Sequence, residues 1–152
     1  MKKYYLAYGS NLNLEQLKQR CPTAKVVGKT IINNYRLVFK GKSNVGFLTI
    51  EPSLNSMVPV GIFEITEFDE HNLDWYEGYP TFYNKEYFDV ILNGKSIKAL
   101  IYIMNPSFSY AIPRIEYINT CLKGYENFGF NKEILSTAFE TSIDNMGKRL
   151  IK

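Results

Sequence analysis

Two short stretches hold the residue types that could do chemistry. The first is Tyr8-Gly9-Ser10-Asn11-Leu12-Asn13, directly behind an apolar run. Gly9 lets a ligand come close to the main chain. The turn leads toward a helix start, where unpaired N–H groups and the dipole favour an anion. Backbone donors, the Ser10 hydroxyl and the Asn11 amide would together suit a small carboxylate. The same residues also suit a tight turn that merely begins a helix. The second stretch is Leu73-Asp74-Trp75-Tyr76-Glu77-Gly78-Tyr79-Pro80, where Glu77 stands among three rings. A carboxyl in aromatic surroundings loses hydration, its pKa rises, and it becomes suited to proton transfer. The alternative is a helix-end glutamate in solvent with the rings turned to the core. Asp74 reads as a surface residue or a partner to a backbone donor rather than a second catalytic acid.

Other reactive side chains are sparse. His71 lies in Asp69-Glu70-His71-Asn72, an exposed helix face. Cys21 and Cys121 are far apart and read as two reduced, buried thiols. One histidine and no clustered cysteines predict no metal site, and no cofactor is expected. Near Pro113, Arg114 reads as an exposed cation and Ile115 as core, while the Tyr117 hydroxyl is placed to reach a cleft.

These residues need a scaffold. Hydrophobic residues make up 45% of the 152 and charged residues 22%, a profile that predicts one globular domain over 1–152. The net charge of +3 is scattered, with no basic face, so nucleic acid is not an expected partner. Gly9-Ser10-Asn11 cuts the first apolar run short, which predicts neither a signal peptide nor a membrane span and makes the cytoplasm the default location.

Strands are expected over 3–8, in two runs within 26–40 divided at Asn33-Asn34, and over 46–51 and 58–65 with a loop between them. Two more, 84–92 and 96–104, flank Asn93-Gly94, the strongest hairpin signal in the chain. Helices are expected over 14–20, behind Asn13; from Thr66, with Asp69 at its third position, to about Glu77; from Pro113 to Gly129, along Ile115, Ile118, Leu122 and Tyr125; and from about 131 to 146. Residues 106–112 read as a loop. The class is α+β: six or seven mostly antiparallel strands in a small mixed sheet that curls or closes into a barrel, flanked by helices.

Together, AYGSNL at 7–12, Leu73-Asp74-x-x-Glu77-Gly78, Tyr83, and Pro113-x-x-x-Tyr117 running on to Gly124 and Gly129 resemble the γ-glutamylcyclotransferase-like family. The resemblance spans residues 3 to about 140. It implies a small mixed barrel with one cleft, in which Tyr8, Gly9, Ser10, Asn11 and Leu12 hold the α-carboxylate and amine end of a γ-glutamyl group. Glu77 would be the acid/base, and Tyr83 and Tyr117 would contact substrate. The implied reaction is internal. The substrate's α-amine attacks its own γ-carbonyl, 5-oxoproline forms, and an amine or amino acid leaves. No serine, cysteine, metal or cofactor is needed, and the chain would act as a monomer or homodimer on a small molecule. The reading set against this one is a non-catalytic module on the same fold that senses a small carboxylate.

Overall fold

The computed structural model describes residues 2–150, with side chains through residue 147. In chain order the elements are β1 (Lys3–Ala7), a 3₁₀ turn (Ser10–Leu12), α1 (Leu14–Arg20), β2 (Lys25–Lys42), β3 (Val45–Ile65), α2 (Glu67–Glu77), β4 (Tyr83–Leu92), β5 (Lys95–Met104), β6 (Ser109–Tyr110), α3 (Ile115–Phe128) and α4 (Glu133–Leu150). The strands form one sheet in the order β4-β5-β1-β3-β2-β6. Among the described strand pairs, only β1 and β5 run parallel. The architecture is the expected α+β, with six strands in a half-barrel rather than a closed barrel. Three strands separate β4 from β2 in the sheet, yet the rings of Tyr35 and Phe88 meet across the curl at 5.3 Å.

The segments expected as four strands are two long ones. They turn tightly at Ser43-Asn44, whose positive φ angles of 51° and 62° fit a two-residue hairpin. The expected interruptions survive as a bulge. Pairing runs from Asn33↔Met57 to Tyr35↔Pro52, so Asn34 alone faces residues 53–56. Asn34 and Asn55 both adopt left-handed backbone there, a region asparagine tolerates, and the Asn55 N–H donates to Asn34 Oδ1 at 3.1 Å. Turn-rich composition at Pro52-Ser53-Leu54-Asn55-Ser56 therefore marks a local excursion, not the end of a strand. The proline at 59 is tolerated because β1 covers only Gly61–Ile65 of β3.

Three further expectations are corrected. The segment 106–112 contains β6, which pairs with Lys40 and Gly41 of β2. Helix α3 begins at Ile115, not at Pro113, and Ile115 is 72% exposed rather than core. The buried stripe of α3 runs through Cys121, Gly124, Tyr125 and Phe128. Ile115 lies six residues before Cys121, well off that face at 3.6 residues per turn.

Helix α2 ends at Glu77, and its placement is over-determined. At its start, the Asp69 N–H donates to Thr66 Oγ1 at 3.1 Å and the Thr66 N–H donates to Asp69 Oδ2 at 3.0 Å, the capping box expected from the sequence. Along its length, Glu70 accepts from Lys3 and Lys85, each at 2.7 Å, and Asp74 accepts from the Tyr102 hydroxyl at 2.6 Å. Burial alone would raise the Glu70 pKa, but hydrogen bonds from Lys3 and Lys85 and their charges outweigh it, so its carboxyl stays below the usual range. Gly78 then leaves the helix at φ 63°, a left-handed C-terminus that glycine adopts readily. The helix is thus pinned to β1, β4 and β5 with Glu77 at its free end.

Candidate active site

Strand β1 is short and lies between two long strands. The chain leaving it at Tyr8 opens a cleft of about 310 Å³ in the sheet, covered by α1, α3 and the end of α2. Tyr8, Gly9, Ser10, Asn11, Glu77, Tyr83 and Tyr117 all line it, so residues up to 109 apart in sequence are brought to one place.

Leu12 is the exception among the expected site residues. Its side chain is fully buried, and its amide donates to the Gly9 carbonyl at 3.0 Å, closing the 3₁₀ turn. It shapes the loop and does not face the cleft. The loop also differs from the expected anion site at a helix start. Helix α1 begins only at Leu14; there the Gln16 N–H is capped by Asn13 Oδ1 at 3.0 Å, and the Leu14 N–H donates to Asn127 Oδ1 at 3.1 Å. Among the described residues, however, the amides of Gly9, Ser10 and Asn11 have no acceptor, and all three residues line the cleft. Gly9 itself has a φ of −129°. A Cβ there would only touch Leu48 and the Tyr117 hydroxyl, each at 3.4 Å.

Glu77 is half-buried in the cleft wall. Loss of hydration pushes its pKa up to about 7, against the opposing pull of Arg20. The expected effect is present, but of the three neighbouring rings only Tyr76 lines the cleft. Trp75 is 78% exposed and Tyr79 lies under Lys85, 4.3 Å from ring centroid to ammonium. The tyrosines that line the cleft with Glu77 are Tyr5, Tyr8, Tyr83, Tyr102 and Tyr117, from β1, its loop, β4, β5 and α3, together with Tyr76; Phe47 and Phe82 add two more rings. Asp74 is neither a second acid in the cleft nor a partner to a backbone donor, because it is tied to Lys85 and Tyr102. His71 is exposed, and both cysteines are buried and free.

The tyrosine hydroxyls are ordered. Tyr8 donates to the Tyr102 carbonyl and Tyr83 to the Leu48 carbonyl, each at 2.6 Å. The Tyr117 hydroxyl instead accepts, from the Leu48 N–H at 3.0 Å. The Asn11 side chain is buried and engaged at both ends. Its nitrogen donates to the Tyr5 hydroxyl at 2.9 Å and, more weakly, to Glu77 Oε1 at 3.4 Å, while its oxygen accepts from Arg20 at 2.6 Å. It is a link to Glu77 rather than the free substrate donor expected. Arg20, Gln16, Phe47 and Leu48 also line the cleft, and nothing in their sequence setting marked them.

This cleft, with a readily protonated carboxyl facing unpaired backbone amides, is equipped for acid–base chemistry on a small anionic molecule. The sequence pattern of the family described as gamma-glutamyl cyclotransferase, AIG2-like, matches residues 5–119, and the chain belongs to that family. Solved structures share its fold. A gamma-glutamyl cyclotransferase superposes with a TM-score of 0.79 at 23% identity, over 91% of this chain and 86% of that one. An uncharacterized protein from Homo sapiens, loc79017, gives 0.78 at 24% identity, over 90% and 86%. YkqA from Bacillus subtilis gives 0.74 at 17% identity; the match covers 93% of this chain but only 54% of YkqA. No curated protein sequence matches this one. Among the described residues, no helix is long and apolar enough to cross a membrane.

Proposed function

We propose that this chain is a γ-glutamylcyclotransferase, a single-domain enzyme that converts the γ-glutamyl group of a small molecule to 5-oxoproline and releases an amine or amino acid. The observation that carries this reading is Glu77, held in the cleft at a pKa of about 7 and in contact with the loop that follows β1.

The α-amine of the substrate is the nucleophile, so ring closure is unimolecular once the chain is curled into its attacking form. The amine must first lose a proton. Transfer from an α-ammonium to an ordinary glutamate is uphill by roughly 5 kcal/mol, and a glutamate near 7 reduces that to roughly 1 kcal/mol. Glu77 takes this first proton before attack and passes it to solvent. The neutral amine then attacks. Glu77 takes the amine's second proton as the new C–N bond forms and gives it to the leaving nitrogen as the old C–N bond breaks, and the released amine is protonated by solvent. In this reading the amides of Gly9, Ser10 and Asn11, with the Ser10 hydroxyl, hold the α-carboxylate. Leu12 fixes their geometry from behind, and Tyr8 and Tyr83 wall the cleft. Beyond Phe47 and Tyr117 the cleft continues into a groove past Glu116 and Arg114, which gives the leaving half room.

Tyr117 is the hydroxyl we assign to meet the developing oxyanion: it accepts from the Leu48 N–H, which polarises it, and its own proton can turn from Cys121 into the cleft. Tyr117→Phe is therefore expected to lower kcat by roughly tenfold to a hundredfold with a smaller change in KM. Equal losses from Tyr83→Phe, whose proton is engaged by Leu48, would argue against that role.

The pH dependence provides the test. Glu77 must be ionised to accept the proton, so kcat/KM for 5-oxoproline release is expected to rise with pH through about 7. Initial rates on a γ-glutamyl amino acid between pH 5 and 8 measure this, and a flat profile would contradict Glu77 as the base.

A further inference from the structure

Arg20 closes α1 and has no part in the reaction as derived so far. Its guanidinium donates to Asn11 Oδ1 at 2.6 Å and lies 4.5 Å from the centroid of the Tyr76 ring, beside Glu77 in α2. Its carbonyl accepts from Asn72 at 3.0 Å, which ties the end of α1 to α2. Three pieces of the site, the end of α1, the loop after β1 and the end of α2, thus meet at one residue.

We propose that Arg20 is a positioning residue that acts on Glu77 through Asn11: the guanidinium fixes which way the Asn11 amide faces, so that its nitrogen points at Glu77 Oε1 and the other carboxyl oxygen is left to carry the proton. The inference rests on the reading of Glu77 as the acid/base. With the Asn11 oxygen held by a cation, the amide cannot turn without placing its own N–H groups against the guanidinium. Asn11 is also buried, so no bulk water competes for that oxygen.

Charge acts in the same direction. Arg20 is the only Lys or Arg among the residues lining the cleft. Of the other titratable groups facing Glu77, Glu116 of α3 is the one further acid. The hydroxyls of Tyr5, Tyr8, Tyr83, Tyr102 and Tyr117 are all shifted upward, first by burial, and stay neutral. Tyr76 is the remaining ring, and it lies against the guanidinium itself. Arg20 therefore favours the ionised Glu77 against its burial.

The variants Arg20→Gln and Arg20→Lys separate the outcomes. In carbon-detected NMR the Glu77 carboxyl is expected to titrate at least about 0.5 pH units higher in Arg20→Gln than in the wild type, and to move back toward the wild type in Arg20→Lys. The Asn11 side-chain amide protons are expected to exchange with solvent roughly tenfold faster or more in Arg20→Gln. Neither measurement requires turnover, so both decide the role of Arg20 even if the enzymatic reading fails. In the active enzyme Arg20→Gln should lower kcat by roughly tenfold with KM nearly unchanged and shift the acid limb of kcat/KM upward. An unchanged Glu77 midpoint together with unchanged Asn11 exchange would overturn the inference. A loss confined to KM would do the same, because it would make Arg20 a substrate ligand instead.

Discussion

Glu77→Gln is expected to reduce 5-oxoproline release at least about a hundredfold, and up to about 10⁴-fold, while making the protein more stable above pH 7. The loss of activity follows because the amide keeps the shape and can still accept from Asn11, but it can neither take nor return a proton. The gain in stability follows from linkage. The Glu77 pKa is higher in the folded chain, about 7, than the ordinary value of 4.5. Between those values the folded state binds more protons than the unfolded one, so the wild type loses stability as pH rises through that window. A full shift of that size corresponds to roughly 3 kcal/mol, and because the side chain is only half-buried, a difference on the order of 2 kcal/mol is the better expectation. Thermal melts of both proteins at pH 8 and pH 4.5 check this, with the advantage of the variant present at the higher pH and gone at the lower. Loss of activity with no stability gain would mean that Glu77 is hydrated and that its role is not proton transfer.

Gly124→Ala lies outside the cleft and is nevertheless expected to damage both stability and activity. Gly124 faces the loop from α3, and a Cβ there would sit 2.6 Å from the Asn13 nitrogen, 2.7 Å from the Leu12 carbonyl carbon and 2.8 Å from Leu12 Cβ. Two of those atoms are backbone, so no rotamer change relieves the clash. The loop must move away from the helix and take Gly9, Ser10 and Asn11 with it. Overpacking of this kind costs about 3 kcal/mol, which lowers Tm by roughly 6–12 °C in a chain of this size. Displacing the loop by an ångström should also lower kcat/KM by roughly a hundredfold. Gly147→Ala is the control, because a Cβ there meets nothing within 4 Å. Equal melting temperatures for the two variants would contradict the packing of α3 against the loop.

What the sequence made legible were features enforced by a few neighbouring residues. The Asn93-Gly94 hairpin and the Thr66–Asp69 capping box are local, and both formed where expected. The long β2–β3 ribbon was not legible, because residues 52–56 have the composition of a loop and only their register against Asn34 makes them a bulge. Ile115 misled for a related reason: helical spacing fits several faces, and the packing of Gly124 and Tyr125 chose another one. Within the cleft, Glu77 and the loop stood out by their motifs, but the tyrosines that line the cleft with them come from four further segments, β1, β4, β5 and α3. Arg20 carried no signal at all. A basic residue in the last turn of a helix is ordinary, and only tertiary structure sets it against Asn11.

The most direct test of the central claim is whether the wild-type protein releases 5-oxoproline from a panel of γ-glutamyl amino acids, amines and isopeptides, measured by chromatography with the freed amine quantified alongside. The account predicts turnover of at least one compound, with 5-oxoproline and amine in equal amounts. Saturable binding of glutamate or 5-oxoproline in calorimetry, with no 5-oxoproline released from any member of the panel, would contradict it and identify the cleft as a carboxylate-binding module.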